Sequence, residues 1–107
     1  MIEIPFNSWS MIRMYDNQKT CTSRNEQKGK VGQRFQLTDI EGNPLRTYKI
    51  THVIQLPLHF VAMFLYKEEG AESPGEFIEE YNRIYKKRRS NGFDPNKVVW
   101  VHFFMEV

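Results

Sequence analysis

Cysteine is nearly absent: Cys21 is the only one in 107 residues. A single thiol excludes an intrachain disulfide and any zinc site made of cysteine alone, and it fits a reducing compartment, so a cytoplasmic location is expected. Long apolar runs are also missing. The greasiest stretch, Leu56 to Tyr66, is broken by Pro57 and His59 and is too short to span a bilayer. No basic segment followed by an apolar run opens the sequence, so no signal peptide is expected. The three histidines, His52, His59 and His102, lack metal-ligand spacing, so neither a metal site nor a cofactor is expected. Repeats and low-complexity linkers are lacking too. The net charge of +2 is too small to establish nucleic-acid binding by itself.

What is present fits one soluble α+β domain spanning 1–107. Apolar residues make up 40% and charged residues 26%, which suits a modest single core. Charge is unevenly spread. Arg13 to Arg34 holds six Lys/Arg against two acids, whereas Glu68 to Glu80 holds six glutamates and no base. The N-terminal third can therefore form a basic surface. The Lys86 to Arg89 run reads as a solvated helix face unless it borders that surface.

Local signals give an order of elements. Asn7 or Ser8 caps a helix to Tyr15, with Trp9, Ile12 and Met11 inward, and Asp16-Asn17 ends it. Thr20 to Arg24 reads as a strand. Arg34 to Ile40 alternates, with Phe35 and Leu37 on one face, and Glu41-Gly42-Asn43-Pro44 turns the chain. Leu45 to Gln55 returns as a strand with a bulge near Thr51-His52. Pro57 opens a helix to Tyr66 carrying Phe60, Val61, Phe64 and Leu65. Ser73-Pro74-Gly75-Glu76 is a helix start, with serine as cap and proline in the first turn. That helix is expected to reach Arg89, burying Phe77, Tyr81, Ile84 and Tyr85, and to stop at Asn91-Gly92. Val98 to Met105 is apolar on both faces and should be a central strand. The pattern is a small β-barrel of mixed strands with flanking helices, not a doubly wound sheet.

The densest chemistry lies in Lys19-Thr20-Cys21-Thr22-Ser23-Arg24, too polar for an ordinary buried strand. Alternation puts Thr20, Thr22 and Arg24 on one face and Lys19, Cys21 and Ser23 on the other. A cation beside hydroxyls is either a phosphate-binding edge or the start of a catalytic site. Cys21, with no histidine near it in sequence, reads as a buried inert thiol.

The chain resembles the ASCH domains, small β-barrels of the PUA-like superfamily. The resemblance runs through Ser8-Trp9 with Ile12, Lys19-Thr20-x-Thr22-x-Arg24, Gly29 to Phe35, Glu69-Gly70 before Ser73 to Phe77, and Val99 to Phe103. Asn17 stands where glycine is usual, and Cys21 and Ser23 stand where apolar residues are common. The resemblance implies a cleft for RNA or a modified nucleoside. One group of short relatives consists of N4-acetylcytidine amidohydrolases that use a lysine, a threonine and a glutamate. These map onto Lys19, Thr22 and Glu69, with Glu68 as the neighbouring alternative. Arg24, Lys28 and Lys30 would hold the nucleic acid or other ligand. A threonine hydroxyl is too weak an acid to attack unaided. A lysine can take its proton only when neutral, although lysine ordinarily titrates near about 10.4. The contrasting reading is a non-catalytic protein-interaction module whose acidic Glu68 to Glu80 surface faces a partner.

Overall fold

A computed structural model describes residues 1–85 and 92–107. Its elements are α1 (Ser8–Tyr15), β1 (Cys21–Arg24), β2 (Arg34–Thr38), β3 (Pro44–Pro57), α2 (Leu58–Phe64), α3 (Pro74–Tyr85) and β4 (Val98–Glu106). The strands form one four-stranded sheet in the order β1-β4-β3-β2. The α+β class and flanking helices are as expected. The described strand pairs are antiparallel throughout, rather than mixed, and the sheet is a curled half-barrel. The bulge expected near Thr51-His52 is there: the β3–β4 register shifts between Ile50 and His52.

The last strand in sequence lies at the centre, and apolar residues on both of its faces are the reason. Val99 and Val101 join Cys21, Leu58, Val61, Phe77 and Tyr81 in a cluster under α2 and α3. Phe104 joins Ile4, Met14, Phe35, Leu37, Tyr48 and Ile50 in a second cluster. In the second, Phe35 packs against Tyr48 and Phe104 with ring centroids 5.5 and 5.4 Å apart. His102, on the face of β4 opposite Val101, is fully buried.

Helix starts follow the capping residues. The Asn7 side chain accepts from Ser10 N at 2.9 Å, and the Ser73 hydroxyl accepts from Glu76 N at 3.1 Å. Two helix faces differ from expectation. Ser10 and Met14 are the buried residues of α1, while Ile12 is exposed and Trp9 is half-buried beneath the Arg13 guanidinium, 3.8 Å above its ring. In α2, Leu58, Val61 and Ala62 face inward and Phe60 and Phe64 are exposed. The helix begins only after Pro57, so its inner stripe starts at Leu58. The expected continuation of α3 through Lys86 to Arg89, and the stop at Asn91, lie outside the described residues.

Candidate functional site: a buried ion pair at the edge of the sheet

Two turns bring Lys19 and Glu69 together. Asn17 adopts φ 62° after α1, and both Gln18 N and Lys19 N then donate to Arg13 O. Asparagine tolerates this left-handed geometry, so it serves in glycine's usual place. After α2, Glu69 N donates to Leu65 O and Gly70 turns with φ 99°. A β-carbon on Gly70 would stand 3.1 Å from Arg13 Cδ and 3.2 Å from Lys19 Cβ, so glycine lets the two segments touch. The contact is fastened three ways. Arg13 Nε donates to Gly70 O at 3.0 Å, while Thr20 N and Cys21 N both donate to Glu68 O.

Lys19 Nζ lies 2.9 Å from Glu69 Oε1 and also donates to Glu69 O at 3.0 Å. Both residues are buried, at 4% and 3% exposure. The other carboxylate oxygen, Oε2, accepts from Ser23 Oγ at 2.5 Å. Of the two neighbouring glutamates it is therefore Glu69 whose carboxylate meets Lys19; Glu68 contributes its backbone carbonyl to β1.

Thr22 is also buried, and its Oγ1 accepts from Arg24 Nε at 3.2 Å. Arg24 further donates to Pro5 O at 2.6 Å and lies 4.9 Å from the Phe6 ring centroid. Lys19, Thr22, Ser23, Arg24 and Glu69 line one cavity of about 250 Å³. Since β1 is an edge strand, side chains from both of its faces reach that cavity. Aromatic rings make up part of its remaining wall: Phe6 and Phe77 join Tyr81 and Tyr85, whose rings stack at 4.3 Å. Glu80 lines it as well, its Oε1 accepting from Asn7 Nδ2 at 3.0 Å and its Oε2 from Arg83 Nε at 3.0 Å.

Lys28 and Lys30 are exposed and stand outside the cavity lining. Their loop is pinned from within. Lys28 N donates to His102 Nε2 at 2.9 Å, and Lys30 N donates to Gln33 Oε1 at 2.7 Å. Burial lowers the His102 pKa from its ordinary value, which keeps the ring nitrogen an acceptor. Burial and the Glu69 charge raise the Cys21 thiol well above its usual range, so it is held as an unreactive thiol. Tyr81 is pushed up to about 12 by burial and by Tyr85 and Asp94, so its hydroxyl stays protonated. Among the described residues, no three or more His, Cys, Asp or Glu are grouped to hold a metal. Among them, too, no helix is long and apolar enough to cross a membrane.

Of the residues that the resemblance names, Lys19, Thr22, Arg24 and Glu69 meet at one cavity, and Lys28 and Lys30 do not. Ser23, Asn7 and Glu80 also line the cavity and are not among the residues that the resemblance names. Ser23 had a signal, since strand alternation puts it on the face of Lys19. Asn7 and Glu80 had none, because their meeting depends on how α3 packs beside the start of α1.

No family model and no curated protein matches the chain. Solved structures do. A DUF984 protein of Enterococcus faecalis superposes with a TM-score of 0.70 at 22% identity, covering 95% of this chain and 76% of that one. An ASCH domain of Lactobacillus crispatus superposes with a TM-score of 0.74 at 15% identity, covering 99% of this chain and 77% of that one. Similarity along nearly the whole length, with so little shared sequence, establishes architecture: the chain has an ASCH-like fold.

Proposed function

We propose that the cavity beside β1 receives a single modified nucleoside, free or as an unstacked base of RNA, and hydrolyses the acetyl amide of N4-acetylcytidine. The observation that carries this reading is the meeting of Lys19 and Glu69, 50 residues apart, at 2.9 Å in the cavity that Thr22 also lines. The cavity, about 250 Å³, falls just below the usual range of about 300–1,000 Å³ for small-molecule pockets, a scale suited to one base rather than a duplex. Its aromatic wall suits stacking on such a base.

In this reading Lys19 passes a proton to Glu69 Oε1, and the now neutral amine takes the proton of Thr22 Oγ as that oxygen attacks the acetyl carbon. Sharing a proton this way avoids keeping two opposite charges buried throughout. The carbon–N4 bond breaks, the Glu69 proton goes to N4, and cytidine leaves. Water then hydrolyses the acetyl ester of Thr22 with the same groups as base and acid. The decisive measurement is the ultraviolet change on N4-acetylcytidine turnover. The native protein turns it over, and Lys19→Ala and Thr22→Ala are slower by at least about 100-fold. Native protein no faster than buffer removes the hydrolase claim.

Binding without turnover is favoured by one specific contact: the Thr22 hydroxyl is engaged by Arg24, and the hydroxyl that reaches Glu69 belongs to Ser23. Salt-dependent retention of RNA that Arg24→Ala weakens, without hydrolysis, selects that reading. Absence of any nucleoside or RNA binding leaves a protein-interaction module.

A further inference from the structure

We infer that Ser23 is a positioning residue for Glu69, holding the carboxylate so that only Oε1 exchanges a proton with Lys19. This rests on the hydrolase reading of the cavity. The two carboxylate oxygens have different donors: Lys19 Nζ at Oε1 and Ser23 Oγ at Oε2. Ser23 stands opposite Val101 in the β1–β4 register, on the sheet face that also carries Cys21 and Val99. A hydroxyl in so apolar a layer is unfavourable unless bonded, and here its bond goes to the site acid.

The consequence concerns orientation. A carboxylate held at one oxygen can turn about its terminal torsion and offer either oxygen to a proton. Held at both, it presents Oε1 to Lys19 and keeps Oε2 occupied. Ser23 thereby acts on the Thr22 attack through Glu69 and Lys19, without touching the reacting carbon.

The test uses the full chain with Ser23→Thr, which keeps the hydroxyl, and Ser23→Val, its apolar isostere. Val suits a strand and avoids the gap that alanine would leave. The Glu69 carboxyl carbon is titrated by carbon-13 NMR in each. Loss of a donor to the charged form moves the Ser23→Val midpoint to higher pH, and Ser23→Thr returns it to the native position. On N4-acetylcytidine, kcat falls about tenfold in Ser23→Val with KM unchanged, the factor that one hydrogen bond to a charged group carries. Identical titration of Glu69 in the native and Ser23→Val proteins overturns the inference. If the native protein shows no turnover, the hydrolase reading fails while the carbon titration still decides whether Ser23 holds Glu69.

Discussion

Lys19 places its amine where only 4% of its surface meets water. Burying a cation costs several kcal/mol unless a counter-charge and hydrogen bonds replace its hydration. Glu69 supplies both, through its carboxylate and its own carbonyl. Removing one partner leaves the other buried and uncompensated. Lys19→Met should therefore lose about 3–5 kcal/mol in urea unfolding, whereas Lys19→Met combined with Glu69→Gln should lose less than the two single losses summed. At this scale the sequence was legible where a residue's type and spacing carried the meaning. The run from Lys19 to Arg24 stood out by its composition, and the resemblance selected Lys19 and Thr22 within it. Glu69 could be named only through a family resemblance, because nothing local says that residue 69 returns to residue 19. Glu80 meeting Asn7 across 73 positions left no local trace at all.

Among the elements, the turn between α2 and α3 matters most to the site. Gly70 holds φ 99° and lies against both Arg13 and Lys19. Gly70→Ala meets strained backbone and a crowded contact together. It should destabilise by more than about 1 kcal/mol, read as a lowered midpoint in thermal unfolding, and weaken nucleoside binding by loosening Glu69. Helix starts, the β2–β3 turn and the bulge were readable because each rests on a few adjacent residues with defined backbone preferences. Helix faces were less so. Ile12 and Phe64 have the apolar character of core residues, yet at 60% and 68% exposure they lie outside it. Packing against two distinct clusters, rather than periodicity, decided which stripe turned inward.

Across the molecule, His102 links the sheet to the basic loop and makes stability depend on pH. Its ring faces the Lys28 amide and the Thr22 carbonyl; burial and the Arg24 charge lower its pKa, opposed by bonds to Thr22 and Trp100 and by the Glu69 charge. A histidine whose folded pKa is depressed favours the fold when neutral. Its contribution is complete above the unfolded value of about 6.5 and is lost as pH falls through the folded one. Urea midpoints measured from about pH 7 down to about pH 5 should drop more steeply for the native protein than for His102→Gln, which keeps an acceptor but does not titrate. The fold class was legible at this scale from the count and order of elements. The interior place of β4 was legible from its two apolar faces, but its neighbours were not, because antiparallel pairing of Cys21 with Phe103 joins distant stretches of sequence.

That pairing has a bearing on biogenesis. β4 sits between β1 and β3, yet it is the last of the four strands to leave the ribosome. Until it emerges, β1 has no sheet neighbour, and the strand that carries Thr22 and Ser23 lacks the partner that sets its register. The nascent chain can form helices and the β2–β3 hairpin early, but β1 joins the sheet only when residues 21–24 pair with residues 100–103. Slow, non-local closure of this kind exposes apolar strand surface until β4 is in place. A premature stop anywhere before Val98 would then leave the β2–β3 hairpin with no strand to join β1 to it.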